Sequence, residues 1–206
     1  MSRSTVRLRR MAGGPAAPGA KALILALVLG LALVPVLAPP LSAGPPPAPV
    51  GARAGLDIAR EAARSWAVDA KLVYVENDEA LDGAGGAARW GYLFHSRSVK
   101  ASRGYSVCEG RIREAADLGF GFEAPPLPDE WIDSAAALAA ADGNAGDAYC
   151  REYGGKPATM LLIRGAFDER NPDAATWTVV YTSDSQPSLM VVVDAAGGDV
   201  LRTLKG

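Results

Sequence analysis

The side chains able to do chemistry in this chain are one histidine, two cysteines and a short run of carboxylates. His95 is the single histidine, so any Ser–His or Cys–His pair would have to be built on it. It falls between the positions of Trp90, Tyr92 and Phe94 in a strand-like segment. The period of two therefore puts it on the opposite, solvent side of that strand. No Gly-x-Ser-x-Gly elbow occurs to present an activated serine. A transition-metal centre needs several His or Cys ligands, and the chain has too few. Glu76, Asp78, Glu79 and Asp82 crowd one turn, but their spacing matches no calcium loop, and a solvated acidic turn is the expectation. Gly83 to Gly86 is not followed by a convincing helix, so it is no phosphate loop. Small tandem sheets without an evident cleft do not suit the paired carboxylates of glycoside hydrolysis. These residues predict no catalytic site, no cofactor and no metal, and hence a non-enzyme.

Cys108 and Cys150 leave two readings open. In an oxidising compartment they can form a disulfide, closing a loop of about 43 residues and contributing on the order of 4 kcal/mol in the chain-entropy model. Alternatively they are separate buried thiols, Cys108 in a strand and Cys150 in a helix. Trp90 and Trp177 are likewise either exposed contacts for a peptide or sugar, or core residues of equivalent strands; core packing is the favoured expectation.

The elements that would position these residues come in two similar sets. Ile58, Ala59, Ala62, Ala63 and Trp66 recur at helical spacing, with Asp57, Arg60, Glu61 and Arg64 between them. Lys71 to Glu76, Trp90 to Ser96 and Tyr105 to Cys108 read as strands, with a polar loop at Arg97 to Gly104 and a turn at Glu109-Gly110. Phe120 to Pro128 is too rich in proline to continue a sheet or helix. The order then repeats. Asp133 or Ser134 caps a helix that ends at Ala141. Asp142-Gly143-Asn144 breaks it, and a further helical stretch runs from Ala145 to Tyr153. Strands follow at Thr159 to Arg164, Trp177 to Thr182 and Ser188 to Val193, and Asp194 to Asp199 turns tightly into Val200-Leu201. Trp90 to Phe94 aligns with Trp177 to Tyr181, and Tyr105 to Ile112 with Met190 to Leu201. The reading is an internal duplication of a helix-plus-strands unit.

The N-terminus places the protein. Arg3, Arg7, Arg9, Arg10 and Lys21 precede or flank an apolar run from Ala22 to Ala38, and no acidic residue occurs before Asp57. This is the pattern of a secretory signal. As a helix the run spans roughly 25 Å, short of a ~30 Å hydrocarbon core. Small residues at Leu41-Ser42-Ala43-Gly44 suit cleavage after Ala43; an uncleaved anchor is the alternative. No Cys follows the run, which speaks against a lipoprotein. Either way the folded part lies outside the cytoplasmic membrane, periplasmic or secreted, touching membrane only through residues 22–38 if they are retained. With five of the 21 basic and none of the 23 acidic residues in the signal, the remainder carries −7. Such a charge disfavours nucleic acid or anionic lipid as partner. The domain plan is a signal or anchor at 1–43, a Pro/Ala/Gly-rich linker at 44–55, a first α+β repeat at 56–119, a joint at 120–130 and a second repeat at 131–206.

Asp194-Ala195-Ala196-Gly197-Gly198-Asp199-Val200-Leu201, preceded by a strand and by Trp177 to Tyr181, resembles the end of a PepSY domain. Asp199 stands where that family usually has Glu, and Trp131-Ile132-Asp133-Ser134 before an Ala-rich helix is similar to the start of the same repeat. The match covers roughly Trp131 to Leu201; the first half lacks the Asp-x-x-x-Gly turn and reads as a degenerate copy. The resemblance implies a helix on an antiparallel sheet, in an α+β fold of two such repeats. It brings no catalytic residues, since Asp194 is suited to hold the turn backbone and Gly197 or Gly198 to take positive φ. The expected function is an exported interaction module with a protein or peptide partner; the resemblance implies binding or inhibition of a peptidase or another envelope protein. The alternative is a small periplasmic ligand binder or hydrolase with a site between the repeats.

Overall fold

The computed structural model describes residues 46–206 apart from 120, 121, 123, 167–170 and 172. The signal segment therefore lies outside the described residues, among which no helix is long and apolar enough to cross a membrane. Helix α1 (Leu56–Trp66) is followed by β1 (Lys71–Asn77), β2 (Arg89–Ser96), β3 (Ala101–Cys108) and β4 (Arg111–Asp117). After a connector come α2 (Ser134–Ala141), a π-helical segment (Asp142–Gly146) and α3 (Asp147–Tyr153). Strands β5 (Lys156–Arg164), β6 (Ala175–Thr182), β7 (Leu189–Asp194) and β8 (Val200–Lys205) close the chain. All eight strands form one antiparallel sheet in the order β4-β3-β2-β1-β5-β6-β7-β8. Read outward from the centre, both halves follow the same order, each a meander of hairpins. They join where β1 pairs with β5 at Tyr74↔Ile163, Val75↔Leu162 and Glu76↔Leu161.

One face of the sheet carries the helices, and the division of residue size explains how they sit so close. The helices offer small side chains, Ala59 and Ala63 on α1 and Ala137 and Ala141 on α2, all buried. The sheet offers large ones: Trp90, Tyr92 and Phe94 on β2, Trp177, Val179 and Tyr181 on β6. Trp90 and Trp177 are 1% and 0% exposed and meet edge-to-face at 6.2 Å over the β1–β5 seam. Trp131 packs on Trp177 at 5.7 Å. Each of the two strand indoles donates to the chain just ahead of a helix, Trp90 Nε1 to Val50 O and Trp177 Nε1 to Ile132 O, both at 2.8 Å. Large aromatics can be buried here because their polar ends find acceptors.

Five features depart from the sequence reading. The linker was expected to extend to Gly55, yet chain from Val50 onward is docked. Val50 pairs with Ala87, and Ala52 N and Arg53 N donate to Ser134 Oγ and Asp133 Oδ1. The indole of Trp90 and the hydroxyl of Tyr92 need the carbonyls of Val50 and Ala52, and that need orders the segment. Second, β3 begins at Ala101, so the polar loop is confined to residues 97–100. Third, Arg111–Asp117 is a full strand; it is an edge, exposed along its length, and so lacks apolar alternation. It opens from the two-residue turn Glu109-Gly110, where both φ are positive, the geometry that suits a tight hairpin. Met190, aligned with Tyr105 by sequence, is displaced by one: Tyr105 pairs with Tyr92 and Val191 with Val179, so Val191 is the equivalent of Tyr105.

The fifth departure is the absence of a break at Asp142-Gly143-Asn144. The helix widens there into a π turn, and Tyr181 inserts its hydroxyl to donate to Asp142 Oδ1 at 2.7 Å. A Cβ on Gly146 would clash with the phenol end of Tyr181, at its Cζ and hydroxyl oxygen. Gly146→Ala is accordingly expected to lower stability by about 2 kcal/mol, the overpacking cost of a closed site. Urea unfolding checks this, with Gly143→Ala, which meets open space, as the neutral comparison.

Candidate functional site

The other face of the sheet carries no described helix, and its residues pair in register across all eight strands. One transverse row runs Glu114, Ser106, Gly91, Glu76, Leu161, Thr178, Val192, Arg202 from β4 to β8. The next runs Ala116, Gly104, Leu93, Tyr74, Ile163, Thr176, Asp194. A bulge between Leu72 and Tyr74 sets this facing: beyond it Val75 points to the helices while Tyr74 and Glu76 point away. The connector crosses one end of this face. Phe122 packs edge-to-face on Tyr74 at 6.2 Å, Ser102 Oγ donates to Phe122 O, and Arg164 Nη1 donates to Pro126 O.

The chemistry of the face concentrates on β1. Tyr74 donates its hydroxyl to Glu76 Oε2 at 2.7 Å. Burial pushes the Glu76 carboxyl up to about 7; the Tyr74 hydrogen bond opposes this and the nearby Asp78 adds to it. Asp78 is raised as well, again by burial first. Its carboxylate lies against Gly91, where a Cβ would come within 2.6 Å of Oδ1, and it accepts from the Ser106 hydroxyl. Burial and the Glu76 carboxylate hold the Tyr74 phenol well above its ordinary range. Glu79 and Asp82, neighbours of this pair in sequence, are diverted. Glu79 pairs with Arg89, and Asp82 accepts from Ala84 N and Gly86 N in its own turn. No group of three His, Cys, Asp or Glu side chains able to hold a metal forms among the described residues.

The residues singled out by sequence lie apart from this cluster. His95 does face away from the aromatics, but it is half-buried, not solvated, with Nδ1 3.0 Å from Ser102 Oγ. Trp90 and Trp177 are both interior. Asp194 holds its hairpin, accepting from Gly197 N at 2.7 Å through Oδ2 and from Gly198 N at 2.9 Å through its carbonyl, while Gly198 takes φ of +84°.

Cys108 and Cys150 are free, which corrects the disulfide reading. Cys108 follows Val107 on β3 and so faces away from the helices, whereas Cys150 on α3 packs against the helix-side core near Tyr181 of β6. Four strand spacings separate β3 from β6, about 19 Å, far beyond disulfide reach. The intact mass is therefore expected to be the same before and after reduction, with the buried Cys108 alkylated only after unfolding. A disulfide mass shift would contradict this. The Glu76–Asp78 pair was missed by sequence as a site because it reads as part of an acidic turn. The available signal was the period-two placement of Tyr74, Glu76 and Asp78 opposite a glycine in the next strand.

No family model matches this chain, and no curated protein matches it. Among solved structures, a “putative lipoprotein” from Clostridium difficile 630 is similar over 74% of this chain and 93% of its own, at 13% identity and a TM-score of 0.50. The Bacillus megaterium YpeB C-terminal domain is 12% identical over 76% of this chain and 65% of its own, with a TM-score of 0.30. At that identity the first likeness is one of fold: the chain is an α+β protein whose helices lie on an antiparallel sheet, an architecture it shares with the Clostridium protein.

Proposed function

We propose that this chain is an exported, non-enzymatic interaction module of PepSY-like architecture, which presents the edges of its sheet to a protein or peptide partner. The observation that carries this reading is the pair of exposed strands at the two ends of the sheet. Every residue of β4 is exposed, as is nearly all of β8, so two strands offer unpaired backbone to an added strand. On the helix side the junction between the halves is filled by Trp90, Trp131 and Trp177, which supports binding at the surface over a cleft there. The basic-then-apolar N-terminus supports export, and the Asp194 hairpin supports the PepSY likeness.

A small-ligand-binding protein is the second reading. It is favoured by the Glu76 and Asp78 carboxylates standing beside the β1–β5 seam. The test is capture from envelope extract by the tagged full chain, compared with Ala116→Lys on β4 and Leu204→Lys on β8, because a lysine on an edge opposes strand addition. One protein retained by the natural chain and lost with one edge variant is the expected result. Retention of no protein above control would turn the reading toward the second.

A further inference from the structure

The two ends of the sheet differ in what they present. Strand β4 carries two arginines and two acids, and charges of both signs are spent within the chain: Arg113 pairs with Glu109, and Asp117 with Arg103. A bulge opposite Ser106 and Val107 also bends it. Bulges and mixed charges are devices that blunt an edge. On β8 the bulge falls at the start of the strand, opposite Val192 and Val193, and Arg202 to Lys205 keep regular register. The charged side chains of β8 are Arg202 and Lys205, both exposed. Among the described residues every ion pair is made by another cation, so neither has a carboxylate partner. This basic edge belongs to a chain that carries −7 after residue 43.

Gly206 N donates to Ser188 O, one step beyond the Leu189↔Lys205 pair. Such bonds recur at every second residue of an antiparallel ladder. The backbone groups of Arg202 and Leu204 therefore turn toward β7, and those of Thr203 and Lys205 point outward. The side chains of Arg202 and Leu204 lie on the helix-free side, opposite Val192 and Met190, and those of Thr203 and Lys205 on the helix side. Thr159, Val180, Met190 and Leu204 make one row from β5 to β8 that opens toward the edge: the first three are half-buried and Leu204 is 39% exposed. An added strand would extend this apolar row and lie between two cations. A second copy does not suit the edge, because paired β8 strands would set cations near cations and β4 has no surplus of acid. The chain ahead of Asp57 holds no acid at all.

We propose that β8 is the edge that takes an added strand, and that this strand is an extended acidic segment of another protein. It sets a carboxylate opposite Lys205, an apolar side chain opposite Leu204 and a second carboxylate opposite Arg202, and bonds its backbone to Thr203 and Lys205. The inference rests on the chain being an interaction module and names the edge it uses and the chemistry of its partner.

The experiment is an amide NMR titration of the full chain with three probes: acetyl-Ser-Glu-Val-Thr-Glu-Val-amide, its counterpart with Gln for both Glu, and the acidic peptide N-methylated at its threonine. The expected result is that the acidic probe shifts the amides of Thr203 and Lys205 and binds about fivefold tighter than the Gln peptide, the effect of two opposite-charge cross-strand pairs. The net charge of the domain alone would give the reverse order. N-methylation should abolish the shifts, since it removes a backbone donor. Arg202→Glu with Lys205→Glu should reverse the preference and leave the melting temperature unchanged, both side chains being exposed. Equal binding of the acidic and Gln peptides, an unchanged preference in the double variant, or no shifts at millimolar probe would overturn the proposal. So would shifts at Arg111–Asp117 in their place, concentration-dependent shifts of the free protein at Thr203 and Lys205, which would seat a second copy there, or a response of these amides to phosphatidylglycerol vesicles alone. If the probe binds β8 and no envelope protein is captured, the edge chemistry stands and the module reading falls. If a captured protein is lost with Ala116→Lys and kept by the β8 double variant, the module stands and this assignment falls.

Discussion

Trp177→Ala is expected to leave the protein close to unfolded at 37 °C. The side chain is fully buried, touches Trp90 and Trp131 edge-to-face, and ties its indole N–H to the Ile132 carbonyl ahead of α2. Truncating a buried Trp costs about 3–5 kcal/mol, and the orphaned carbonyl adds about 1 kcal/mol. That sum approaches the whole stability of a typical domain, about 5–15 kcal/mol, and would lower the melting temperature by roughly 15 °C for a chain of this size. Trp177→Phe keeps the ring contacts and loses the hydrogen bond, so roughly half the effect is expected. Val68→Ala, at a residue 91% exposed, should change stability by no more than about 0.5 kcal/mol. Thermal and urea unfolding of the three variants decide the point, and a mild Trp177→Ala would mean that the seam is not where the halves are held.

The second large effect is a dependence on pH. The Glu76 carboxyl is raised from its ordinary 4.5 to about 7, so the native state holds this proton more tightly than the unfolded chain does. Its contribution is therefore fully present below about pH 4.5 and is lost as pH rises through about 7. Asp78, raised in the same direction, adds to the loss. Asp69 acts oppositely: the Ser96 and Ser98 hydroxyls hold its carboxyl well below the usual range, so it destabilises only on strong acidification, outside this window. The natural chain is expected to lose roughly 3 kcal/mol between about pH 4.5 and 8 from Glu76. Glu76→Gln should recover most of that near pH 8 and change little near pH 4.5. Urea midpoints across the range test it; a flat difference between the two proteins would show that the carboxyl titrates normally.

The elements legible in the sequence were those in which pattern and burial coincide. Trp90, Tyr92 and Phe94 alternate because β2 has one face on the core, and the Asp194 turn shows in its glycines because a left-handed φ favours them. What was illegible had another cause each time. Strand β4 is an edge open on both faces, so no alternation marks it. Asp142-Gly143-Asn144 looks like a break by propensity, but the Tyr181 hydroxyl, nearly forty residues away, gives Asp142 a partner and keeps the helix going as a π turn. Residues 50–53 look like tether because what orders them is distant: Trp90, Tyr92, Asp133 and Ser134. The candidate site was half visible, its carboxylates plain in the sequence and their common facing hidden by the bulge before Tyr74.

The position of β1 beside β5 has a consequence for how the protein is made. Synthesis runs from the N-terminus, so a four-stranded meander is complete while its later neighbour is still missing. At that stage β1 is a bare edge, Trp90 lacks Trp177, and the segment at Ala52 and Arg53 has no Ser134 or Asp133 to grip. The nascent half therefore displays an apolar edge strand of the kind that recruits other chains. Its safety during biogenesis depends on how quickly the residues after Trp131 emerge, which makes the connector a timing element as well as a link.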